Sequence, residues 1–173
     1  ALTQLAKASQ SGEIGSKNTA HFFIPLLEHF IFDRAEGNDA HNLAAEATTC
    51  VGVLVGSLDW PQYRAILRRF TGYITAKPDL AKQIIRLLGK VIDSLAAAAD
   101  SRMGKLEDRD AEKEEGAMGV DEAAEKKPLS TLAKTLPKEQ KFYDDLTGNI
   151  LPPLINYLHD KDETTVSLRT PVA

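Results

Sequence analysis

The chain's four histidines and one cysteine are its most versatile side chains, and their spacing assembles no site. His21, His29, His41 and His159 do not pair with one another, or with Cys50, at the short intervals that place two metal ligands on one turn. An isolated histidine has no second group to complete a catalytic pair, so packing or local hydrogen bonding is the expected role of His21 and His29. Cys50 lies between Thr49 and Val51 in an apolar run, with no base or cation nearby to make it a thiolate, and a buried inert thiol is expected. Phosphate-loop, dinucleotide and Ser-His-Asp patterns are absent from the sequence. These observations predict a protein without catalytic residues, cofactor or metal.

Charge is the more informative chemistry. The formal net charge is −4, from 21 Lys and Arg against 25 Asp and Glu. Between Trp60 and Lys90, however, seven bases (Arg64, Arg68, Arg69, Lys77, Lys82, Arg86, Lys90) face the single acid Asp79, a local +6 that leaves −10 for the rest of the chain. Lys82, Arg86 and Lys90 recur every four residues, opposite the apolar stripe of their helix, and Arg64 and Arg68 form a similar row one helix earlier. Such rows often mark a solvated outer face, with the stems lying over the core. Functionally, Arg64, Arg68, Arg69, Lys82, Arg86 and Lys90 form a candidate ridge for the phosphates of structured RNA or for an acidic partner segment.

The elements that must position these residues read as helices. At 173 residues, 43% hydrophobic and 6% aromatic, with strong helix formers outnumbering β-branched residues, the composition suits one all-α domain or a piece of a larger one. One cysteine supports no internal disulfide and points to a reducing compartment. No apolar run reaches the roughly 18 residues that span a bilayer. Ala1 to Gln10 reads as the end of a helix, Ser11 to Lys17 as a loop, and Asn18 as the N-cap of an apolar helix kinked at Pro25. His41 to Leu58 is a second helix rich in small residues. Asp59 caps a third, with Pro61 in its first turn and Gln62 placed for reciprocal capping. Pro78 opens a fourth, with Leu80, Ile84, Leu87, Leu88, Val91, Ile92 and Leu95 on one stripe.

From Arg102 to Lys127, nine acids and six bases accompany almost no large apolar residue. Such a stretch buries too little surface to offset its ordering entropy, and a flexible insertion is preferred over a solvated helical extension. Phe142, Leu146, Ile150, Leu154, Ile155 and Leu158 resume the pattern, and Val166 to Ala173 reads as a further helix cut short, as in a fragment. The resulting division is 1–100 as helical hairpins, 101–137 as the acidic insertion, and 138–173 as a further, truncated hairpin.

An internal echo runs through these pieces. Ile24-Pro25-Leu26-Leu27 matches Pro152-Pro153-Leu154-Ile155 at an offset of 128, about three units of the 40 to 47 residues of HEAT or armadillo repeats. The expected fold is therefore an all-α solenoid of HEAT/armadillo-like hairpins, with an irregular helical bundle as the simpler alternative. The segments Phe23-Ile24-Pro25-Leu26-Leu27, Asp39-Ala40-His41-Asn42-Leu43-Ala44-Ala45-Glu46-Ala47, Leu151-Pro152-Pro153-Leu154 and Leu168-Arg169-Thr170-Pro171-Val172-Ala173 resemble the C-terminal part of the "down-regulated in metastasis" family of large U3 small-nucleolar-RNA-associated proteins. The stretch Arg102 to Lys127 carries none of its motifs.

The resemblance implies a HEAT-like scaffold of the nucleolar small-subunit processome. It would support 18S pre-rRNA processing and 40S assembly beside processome proteins and the U3 particle, with pre-ribosomal RNA a candidate partner for the basic ridge. The alternative is a HEAT-repeat adaptor or nuclear transport factor, because the repeat physics is shared and fold alone does not set function.

Overall fold

The computed structural model describes residues 1–32, 40–114 and 129–158, with side chains described at 1–32, 42–104 and 129–155. All regular structure among these residues is helical. The helices are α1 (Leu2–Gln10), α2 (Ser16–Asn18), α3 (Ile24–Phe32), α4 (Ala40–Val55), α5 (Trp60–Ala76), α6 (Ala81–Glu114), α7 (Thr131–Thr135), α8 (Glu139–Asp145) and α9 (Leu151–Leu158). A π turn, Thr19–Phe23, joins α2 to α3, and another, Leu146–Ile150, joins α8 to α9. Asp33 to Asp39, His159 and Val166 to Ala173 lie outside the described residues.

Local signals set most boundaries. The Asp59 side chain accepts the Gln62 backbone N–H at 3.1 Å, with Pro61 in the first turn of α5, as expected, but the reciprocal half of the cap differs: the Asp59 N–H donates to the Ser16 hydroxyl rather than to the Gln62 side chain. Pro78 starts a 3₁₀ turn, Pro78–Leu80, that leads into α6. The first apolar helix differs from expectation. Its entry is Gly15, extended at φ −68° and ψ 147°, and Asn18 is already helical. The reason is tertiary: the Ser16 hydroxyl accepts the Asp59 backbone N–H at 3.0 Å, which ties the helix start to that of α5.

Each π turn lies just ahead of a proline. A proline ring crowds the carbonyl four residues earlier and supplies no N–H of its own. Those carbonyls belong to His21 for Pro25 and Gly148 for Pro152, and both fall inside the π turns. Widening the turn to five-residue hydrogen bonds accommodates the ring: Ile24 N–H donates to the Thr19 carbonyl and Leu151 N–H to that of Leu146. This feature aligns Pro25 with Pro152 rather than Pro153. The register of the echo is therefore 127, with Thr19, Phe23 and Leu27 matched to the inward-facing Leu146, Ile150 and Leu154.

The core gathers around α4 and α6. Helix α4 packs against α1, α3 and α6, while α6 packs against α4, α5 and α7. Fully buried Ile24, Leu54, Leu58, Tyr63, Phe70, Ile84, Leu87 and Val91 fill the space between them. Gly52 allows the close contact of α4 and α6, since a Cβ there would stand 3.1 Å from Lys90 Cβ. The Ser94 hydroxyl donates to the Gly52 carbonyl at the same crossing, and the buried Tyr63 hydroxyl donates to the Val91 carbonyl at 2.8 Å. The stripe of α6 is buried as predicted at Ile84, Leu87, Leu88, Val91 and Leu95, but Ile92 is exposed.

The acidic stretch departs from a wholly flexible insertion. Helix α6 runs without a break for 34 residues, about 50 Å at 1.5 Å per residue, and takes in residues 102–114. Residues 115–128 lie outside the described set. Beyond them, α7 sits on the bundle with Leu132 and Ala133 buried and the Leu132 N–H donating to the Gly56 carbonyl at 3.2 Å. Arg102 holds the following turn, donating to the Leu136 and Pro137 carbonyls at 2.7 Å each. Ala98 and Leu136 continue the core at this end.

Candidate functional site

Six basic residues were expected to form a ridge, and the fold divides them into two groups. Arg64 and Arg69 lean to different sides of α5, and each meets an acid from another helix. The Arg64 guanidinium pairs with Asp145 Oδ1 of α8 at 3.0 Å, an oxygen that also accepts the Asn149 amide at 3.1 Å. Arg69 pairs with Glu28 of α3, whose other oxygen accepts the Tyr73 hydroxyl at 3.1 Å. Both acids are mostly buried, with side chains 12% exposed. These two arginines hold neighbouring helices to α5.

Arg68, Lys82, Arg86 and Lys90 are exposed. Lys90 also lies 3.7 Å from Asp93 one turn along, a contact between exposed groups that contributes little. Lys77, the seventh base of the cluster, caps the C-terminus of α5 and lies over the rings of Phe32 and Tyr73 at 5.3 and 5.2 Å. What remains for a phosphate or a carboxylate is two guanidinium forks, Arg68 and Arg86, and two point charges, Lys82 and Lys90, on exposed faces of α5 and α6.

Glu28 and its neighbours are a mostly buried charged grouping that spacing missed. Burial raises the Glu28 carboxyl above its ordinary value, and Arg69, the Tyr73 hydroxyl and Lys77 pull it only part of the way back. The Tyr73 phenol is raised in turn by burial and by the Glu28 carboxylate. One sequence signal did exist: Glu28 is the lone acid in the apolar run from Phe22 to Phe32. An acid in that setting calls for a cation.

Cys50 is 4% exposed, its thiol donating weakly to the Leu2 carbonyl at 3.6 Å, and burial pushes its pKa up. Its setting is that of a packed thiol. His21 and His29 are both exposed, with the His29 ring 6.0 Å from that of Phe30, while the side chains of His41 and His159 lie outside the described ones. Among the described residues, no three His, Cys, Asp or Glu side chains converge as a metal site, and no helix is long and apolar enough to cross a membrane.

No family model matches the chain. It is similar to U3 small nucleolar RNA-associated protein 20 of Schizosaccharomyces pombe, with 32% identity over 174 aligned positions that take in the whole chain. It is also similar to the protein of the same name from Saccharomyces cerevisiae, with 24% identity over 161 positions, or 93% of the chain. In each case the chain spans 6% of the relative's length.

Proposed function

We propose a function from the premise that this chain is homologous from end to end to U3 small nucleolar RNA-associated protein 20, and so is a segment related to that protein. It forms part of a non-catalytic scaffold in the nucleolar small-subunit processome, associated with the U3 particle and supporting pre-rRNA processing and small-subunit assembly. The end-to-end similarity carries this reading.

A HEAT-like solenoid is the architecture that goes with it. In support, Glu28–Arg69 ties α3 to α5 and Arg64–Asp145 ties α5 to α8, while α4 packs against both α1 and α6. The π turn and proline recurring at 127 residues fit the same repeat reading. Each unit buries its apolar face only by stacking on the next.

Arg68, Lys82, Arg86 and Lys90 are the residues through which this segment would meet RNA phosphates or an acidic partner segment. The test uses the full-length protein, tagged and crosslinked in cells. Recovery of U3 and pre-ribosomal RNA is expected, and recovery of transport cargo or transport factors in their place would overturn the scaffold reading. The triple change Arg68→Glu, Lys82→Glu, Arg86→Glu is expected to lower crosslinking to RNA within this segment. An unchanged crosslink yield would remove RNA from the role of these residues.

A further inference from the structure

Helix α4 keeps an open face between two neighbours. Its Cys50 thiol donates to the Leu2 carbonyl of α1 at 3.6 Å, and a Cβ at Gly52 would stand 3.1 Å from Lys90 Cβ of α6. Two residues along an α-helix are about 200° apart, so α1 and α6 flank α4 on opposite sides. Between those flanks Ala45, Glu46 and Thr49 are exposed and Val53 is half-buried. With Leu2 and Ala6 they line an open groove of about 440 Å³ on the α1 side.

The basic row stands on the α6 side. Gly52 meets Lys90, and one turn later the Gly56 carbonyl accepts the Leu132 N–H of α7, whose Leu136 carbonyl is bonded to Arg102 further along α6. Helices α4 and α6 therefore run in the same direction. With 52 opposite 90, residues 45–53 lie alongside about 83–91. Lys82, Arg86 and Lys90 thus run beside the groove for the same two turns, about 12 Å at 1.5 Å per residue.

The two features together select a partner. Phosphates use the cations but gain nothing from a groove lined largely by methyl and methylene groups, whereas an amphipathic helix uses both. We infer that this face of α4 and α6 is the docking surface for an acidic amphipathic helix of another protein. Its apolar side chains fill the groove over Ala45, Thr49 and Val53. Carboxylates one turn apart along its edge meet Lys82, Arg86 and Lys90, with the Arg86 fork able to hold one through two N–H groups. Glu46, in the groove wall, faces a base or an amide of the partner rather than an acid. The inference rests on the reading of these three bases as partner-facing and gives them the acidic segment rather than RNA; Arg68 belongs to α5 and is no part of this face.

The test uses the full-length protein and a synthetic helical peptide of about five turns, with leucines along one face, glutamates along its edge and a photoreactive diazirine. Crosslinks mapped by mass spectrometry are expected at residues 45–53 and 82–90. Lys82→Glu with Arg86→Glu is expected to lower their yield at least about 10-fold, and Ala45→Gln with Thr49→Gln at least about 5-fold. All four positions are exposed, so the fold is left intact. Equal capture of a peptide with lysine in place of glutamate, a loss on the charge change alone, or a 4-thiouridine RNA hairpin crosslinking to 82–90 in the peptide's place would overturn the inference. In cells, crosslinks from residues 45–53 are expected to end in acid-rich sequence of another protein, and endings within this polypeptide or a second copy would overturn it equally. U3 RNA recovery by the unsubstituted protein decides the processome reading separately. Failure of the peptide with RNA still recovered leaves that reading standing, and loss of RNA with the peptide still captured sinks that reading alone.

Discussion

Glu28 shows how one carboxylate can be both required and costly. It anchors Arg69 and Tyr73 from a mostly buried position, and burial holds its folded-state pKa above the ordinary 4.5. Between the unfolded and folded values the native state therefore binds the extra proton, so stability from this group rises as pH falls through the folded value and is lost as pH climbs back. Glu28→Gln removes that titration. We expect urea midpoints of wild type and Glu28→Gln, compared from pH 7 down to pH 4.5, to move in favour of wild type as the pH drops. A gap that stays constant would mean Glu28 titrates alike in both states. A second residue-scale contrast uses glycine. Gly52→Ala sets a Cβ 3.1 Å from Lys90 Cβ, whereas Gly72→Ala, in the exposed middle of α5, meets nothing within 4 Å. Thermal unfolding is expected to show Gly72→Ala more stable by about 0.5–1 kcal/mol and Gly52→Ala less stable than wild type.

Helix α6 and the segment that docks on it show where element-scale reading succeeds and where it stops. The cap at Asp59, the prolines at 61 and 78 and the stripe from Ile84 to Leu95 are local, so each is legible in a few residues. The extension of α6 through residues 102–114 was less legible, because few apolar residues argue for disorder while Ala, Glu, Lys and Arg favour helix, and tertiary contacts decide between them. One such contact, Arg102 with the Leu136 and Pro137 carbonyls, joins residues 34 and 35 positions apart. Pattern within a window cannot show it. Arg102→Ala removes two charge-assisted bonds, about 2 kcal/mol together, which is near 30-fold in local opening. Hydrogen exchange is expected to speed up at the amides of α7 by about that factor, with Ile84 to Val91 unaffected; uniform acceleration across α6 would mean the latch is global rather than local.

At the scale of the molecule, the basic cluster is two populations with one sequence signature. Arg64 and Arg69 look like Arg68 and Arg86 in any helical plot, yet their partners lie in α8 and α3, and no periodicity within α5 or α6 reports an acid 81 or 41 residues away. This is why the candidate ridge was legible as charge but not as structure. The division makes a prediction that separates holding from binding. Arg64→Asp places two carboxylates together at Asp145 and should destabilise the fold by about 1–3 kcal/mol, since a mostly buried charge loses its partner. Asp145→Arg alone should do likewise. The double variant restores opposite charges across the α5–α8 contact and is expected to recover at least half of the loss, which a double-mutant cycle measures directly. Arg68→Asp, at an exposed position, should leave the unfolding midpoint within about 0.5 kcal/mol of wild type. Additive losses at 64 and 145 would mean that the Arg64–Asp145 pair does not hold α5 to α8, and would return Arg64 to the outward-facing set.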